Sequence, residues 1–101
     1  MNTANLQLEG LMMALAAMNN LLVAKGLVGT DDVAGALERA EQTVLGDYRT
    51  DALDPAQRDA IAFPIRLLLL ANNGASASDV QSFSELAKLV GQTKGGYNDQ
   101  Q

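Results

Sequence analysis

Apolar side chains recur at helical spacing over residues 5 to 25, and Gly26 follows Lys25 where a left-handed residue would stop a helix. The spacing predicts a first helix of about 21 residues, roughly 31 Å long. Within it Leu8, Leu11, Leu15, Met18 and Leu22 form a large-residue stripe, read as the face turned to the domain's own core. On the opposite side Gly10, Ala14, Ala17, Leu21 and Ala24, flanked by Met13, form a mostly small-residue seam that would let a second helix backbone come close. A helix apolar on two sides must bury both, against its own domain or against another chain.

Thr30 is a suitable N-cap for a second helix over 31–46, with Asp31 and Asp32 in the first turn where the helix dipole favours negative charge. Its inner face would carry Val33, Leu37, Ala40 and Val44, and Gly35 inside it costs roughly 1 kcal/mol relative to Ala. The loop "GDYRTDALD" ends in Asp54 as N-cap, with Pro55 at the first helical position and Gln57 placed for a capping box. A third helix over 55–73 follows, stopped by Gly74. Ser78 and Gln81 offer a further capping box for a fourth helix over 79–91, burying Val80, Phe83, Ala87 and Val90.

The expectation is an all-α fold: one domain over 1–91 with four helices, arranged as a bundle or an orthogonal array, and a mobile polar tail over 92–101. A chain of 101 residues has the size of one ordinary domain, and its 48% apolar content is rich in Ala and Leu and nearly free of aromatic residues, which suits helices better than strands.

The third helix contains the stretch "AIAFPIRLLLLANNG", apolar nearly all round. Its uninterrupted apolar run falls far short of the roughly 20 residues needed to span a bilayer. Pro64 has no N–H for the carbonyl of Ala60, so a kink is expected near it. Asp59, Arg66 and Asn73 are spaced by seven and share one narrow polar edge, which faces water, an acidic neighbour such as Glu38 or Glu41, or a ligand.

Charge narrows the partners. The net charge is −5, and Asp31, Asp32, Glu38, Glu41, Asp47, Asp51, Asp54 and Asp59 all lie between positions 31 and 59. Such a surface repels phosphate backbones and anionic lipid, so neither nucleic acid nor membrane is an expected partner. A loose helix-turn-helix outline over 21–40 leaves a regulator as a distant reading, but its second helix carries four acids against one arginine. The N-terminal "LMMALAA" has an apolar character but no preceding Lys or Arg, unlike a signal peptide.

Candidate chemistry is sparse. There is no Cys and no His, which removes thiolate nucleophiles, the commonest general base and the commonest metal ligands. Asp47, Asp51 and Asp54 do not have calcium-loop spacing, and the serines at 76, 78, 82 and 84 have no base. In size and helical content the chain is similar to acyl carrier proteins and helical chorismate mutases. It lacks the Asp-Ser-Leu element of the first and the basic first helix of the second. The reading is a cytoplasmic, non-catalytic interaction or self-association module, a homodimer in the simplest case, with no cofactor and no metal. The alternative is a small-ligand or carrier domain with a pocket near Pro64 and Arg66.

Overall fold

The computed structural model describes residues 3–75 and 81–98, the last five of these as backbone. They form four helices in an all-α globule: α1 (Thr3–Ala24), α2 (Thr30–Gly46), α3 (Pro55–Asn73) and α4 (Phe83–Asn98), with a short 3-10 turn over Thr50–Ala52. α3 is central, since α1, α2 and α4 each pack chiefly on it.

Local chemistry explains the boundaries. α1 ends at Gly26, whose φ of +74° is the left-handed conformation that costs glycine least. The Gly26 amide donates to the Val23 carbonyl and that of Leu27 to Leu22, the paired bonds of a Schellman stop. α2 begins one residue earlier than expected: Gly29, not Thr30, is the cap, and its amide donates to the Asp32 carboxylate at 3.0 Å. α3 has the full capping box, with Gln57 N–H donating to Asp54 Oδ1 at 2.8 Å and Asp54 N–H to Gln57 Oε1 at 3.1 Å.

The Ser78 half of the second expected box lies outside the described residues. The box found there is shifted: Ser82 N–H donates to Glu85 Oε1 and Glu85 N–H to Ser82 Oγ, which starts α4 at Phe83 rather than 79. α4 also continues past position 91 to Asn98.

The core is small. Met12 from α1, Leu67 from α3, and Leu86 and Val90 from α4 are buried together, with Phe63 and Phe83 in edge-to-face contact at 6.2 Å against them. α2 contributes no fully buried residue, and Val33, Leu37, Ala40 and Val44 on its inner face are half-buried. Gly35 has only the guanidinium of Arg39 near its missing Cβ, at 3.4 Å, so no close helix packing requires a glycine there. α3 runs through Pro64 as one helix.

One expectation is overturned. The stripe of Leu8, Leu11, Leu15, Met18 and Leu22 does not face the core: all five are exposed, Met18 by 60% and Leu11 by 56%. The buried residues of α1 are Met12 and Ala16, from a different side of the helix. Four helices supply too little surface to surround both α1 and α3, and α3 takes the centre.

Candidate functional site

α1 is inverted in its polarity. Between Leu8 and Ala24 every exposed position is apolar or glycine, whereas the three polar residues in that span, Glu9, Asn19 and Asn20, are half-buried toward the protein. Asn5 is on the same inward side by helical spacing. Packing therefore leaves most of the apolar surface outward and docks the helix through Met12 and Ala16, flanked by a polar seam.

The seam is specific. Asn19 Nδ2 donates to Asn72 Oδ1 at 2.9 Å, and Asn72 Nδ2 donates to the Thr30 carbonyl at 2.9 Å. Asn72 is 2% exposed, so α1, α3 and the start of α2 meet at a desolvated amide whose two ends are both satisfied. Leaving either partner out would strand a buried polar group at a cost of about 1–3 kcal/mol.

The residues singled out as an interface, Gly10, Ala14, Ala17, Leu21 and Ala24, are all exposed on the outward side, and Met13 is half-buried against the core. Among the described residues no heavy atom lies within 4 Å of where a Cβ on Gly10 would be, so their packing leaves this seam open. The small-residue seam and the large-residue stripe are therefore not on opposite sides: their centres are about 120° apart on the wheel, and with both exposed they form one continuous apolar surface. Within the apolar stretch from Leu8 to Ala24 the residues that reveal it in the sequence are the polar ones: Glu9, Asn19 and Asn20 cluster on the side of the wheel that holds Met12 and Ala16 and mark the side that is docked.

The polar edge of α3 divides. Asp59 and Arg66 come together, with Arg66 Nη1 donating to Asp59 Oδ1 at 3.2 Å, and Arg66 Nε donates to Glu41 Oε2 of α2 at 2.6 Å. Arg66 is only 7% exposed and the two carboxylates are largely covered, so a cation in a leucine run is tolerated by pairing with two anions. Asn73 takes no part. It is exposed, and its neighbour Asn72 is the buried amide.

Two hollows flank Phe63. A groove of about 390 Å³ is lined by Leu8, Met12, Phe63, Pro64 and Phe83, with Asn5, Glu9 and Ala60 around it. A hollow of about 270 Å³ contains Arg66 and Asp59 beside Ala56, Ala60, Phe63 and Val90. Arg66 and Pro64 therefore open onto different depressions.

The perturbed ionisable groups are elsewhere. The Ser82 amide holds the Glu85 carboxyl below its ordinary range, and the Arg49 guanidinium does the same for Asp47, whose carboxylate in turn raises Arg49. All three are at solvent-exposed helix or loop ends and explain local capping. Among the described residues no group of three or more His, Cys, Asp or Glu is placed to hold a metal ion.

By length and composition alone α1 is apolar enough to cross a membrane, a test that core helices of soluble proteins also pass. No protein-family model, curated protein or solved structure matches this chain.

Proposed function

We propose that this protein is a non-catalytic, cytoplasmic interaction module whose working surface is the outward side of α1, with self-association as its simplest use. The observation that carries the reading is the exposure of Leu6, Leu8, Leu11, Leu15, Met18, Leu21 and Leu22 on one helix, all between 39% and 60%. Isolated exposed leucines are ordinary, but a contiguous apolar surface of this kind marks a contact site. The chain offers little in favour of chemistry, with no His or Cys and its buried arginine engaged by two carboxylates.

Sedimentation equilibrium at micromolar concentration tests it. The native chain is expected to exceed its monomer mass, and Ala17→Glu to sediment as a monomer with its helical circular dichroism intact. A native chain that stays strictly monomeric, with full helicity, overturns the self-association reading.

The groove between α1, α3 and α4 supports a second reading, a site for a small apolar ligand. Ala60 lines the groove from an exposed position. Ala60→Phe should therefore remove saturable binding of a fatty-chain fluorophore without disturbing the core. Unchanged probe binding in that variant would exclude the groove.

A further inference from the structure

We infer that the occupant of the outward side of α1 is α1 of a second copy, paired in parallel about a two-fold axis running along the helices. This rests on the interaction-module reading above and adds partner, symmetry and direction to it.

The area is sufficient. Seven large side chains, each about half exposed, offer on the order of 600 Å², and the intervening small residues bring this near the roughly 800 Å² per partner of a standard interface. The surface is also complementary to itself. At 100° per residue, Leu8, Leu11, Leu15, Met18 and Leu22 form a raised strip, and Gly10, Ala14, Ala17 and Ala24 form a low strip beside it, low between Gly10 and Ala17 and bounded by Leu6 and Leu21.

A two-fold axis parallel to the helices exchanges left and right, so the raised strip of each copy meets the low strip of the other. Leu11 then falls at the level of Gly10 and Ala14 of the partner subunit, and Leu15 at the level of Ala14 and Ala17 of the partner subunit. Knobs enter holes over the stretch from Gly10 to Ala17, and at its two ends Leu6 and Leu21 give leucine-to-leucine contact. A two-fold axis perpendicular to the helices sets raised strip against raised strip and low against low. Parallel pairing brings the two Lys25 side chains near each other, but both are exposed at the end of the seam, where water and salt screen the repulsion.

Lipid is the poorer occupant. An interfacial helix binds anionic bilayers through Lys and Arg along its polar border, whereas the polar residues of α1 are Thr3, Asn5, Gln7, Glu9, Asn19 and Asn20, with a single Lys25 just beyond its end, on a chain of net charge −5. Spanning a bilayer would also pull Glu9 into hydrocarbon and break the Asn19–Asn72 bond.

The absence of cysteine allows a clean test by single-cysteine cross-linking. Gln7 and Lys25 are both exposed and lie 18 residues apart, five full turns, so they share one azimuth at the middle of the surface about 27 Å from each other. A disulfide needs Cα atoms within about 7 Å. Under mild oxidation Gln7→Cys alone and Lys25→Cys alone should each form a covalent dimer, and adding Ala17→Glu should reduce that yield at least tenfold.

If only the mixture of the two variants cross-links, pairing is antiparallel and the proposed direction is overturned while self-association stands. If neither the single variants nor the mixture cross-links and the native chain sediments as a monomer, both proposal and module reading fail. Monomeric protein that co-floats with phosphatidylcholine vesicles assigns the surface to lipid and overturns the second copy as occupant.

Discussion

α1 and α3 are both long and rich in leucine, yet they sit in opposite environments. α3 buries Ala62 and Leu67 completely and takes Arg66 with it into the interior, pairing it with Glu41 and Asp59. α1 buries only Met12 and Ala16 and leaves seven large apolar side chains in contact with solvent. The more charged stretch is thus the more deeply buried one. Hydrophobic periodicity identifies side chains that gain by leaving water, but it does not say against which surface they leave it.

The sharpest way to break this contrast is to remove the cation that α3 buries. Arg66→Ala leaves Glu41 and Asp59 close together and mostly covered, and should cost about 3–5 kcal/mol of unfolding free energy in urea titration. A loss under 1 kcal/mol would mean that both carboxylates reach water by small rearrangements, and that the edge is not an interior feature.

Leucine truncations then compare the two helices directly. Leu67→Ala, at a fully buried position, should cost about 3–5 kcal/mol. Leu15→Ala on α1 should change stability by less than about 0.5 kcal/mol when measured at concentrations where the chain is monomeric, and appreciably more where it associates. Equal costs for the two at high dilution would show α1 to be packed within its own chain.

The smallest effect concerns helix ends. The Ser82 amide lowers the Glu85 carboxyl in the folded state, so its contribution to α4 is present above the unfolded-state pKa and is lost as pH falls through the lower folded value. Glu85→Gln should flatten that part of the acid titration of helicity while leaving neutral-pH behaviour of α1 unchanged. Circular dichroism between neutral and acid pH reads the difference.

Local signals carried most of the architecture. The Asp54–Pro55–Gln57 box and Gly74 bound α3 correctly, and Gly26 stopped α1 through its left-handed backbone, because these devices act within a few residues. α4 starts where Ser82 pairs with Glu85, whose carboxylate both caps the backbone and complements the helix dipole. The orientation of α1 was not legible from its leucines. It depended on Asn19 finding Asn72, 53 residues away, and on α3 already occupying the centre. Seven-residue spacing brought Asp59 to Arg66, but Asn73 stayed outside because the buried amide needed there is one position earlier.

The turn between α2 and α3 has a kinetic implication. The last turn of α2 contains no basic residue, and two of its carbonyls are satisfied from beyond it: Thr50 Oγ1 donates to the Val44 carbonyl at 2.6 Å and Arg58 Nη2 to that of Leu45 at 3.2 Å. Arg58 Nη1 also donates to the Thr50 carbonyl at 3.0 Å, so one guanidinium ties both helices to their connection. Closing a hairpin over the eight residues 47–54 costs modest chain entropy, which favours its early formation. α1, whose docked position uses Asn72 and the Thr30 carbonyl, is expected to join after it. On the proposed self-association, its leucines would be presented to the second copy by an already assembled domain, so that association would follow folding rather than compete with it.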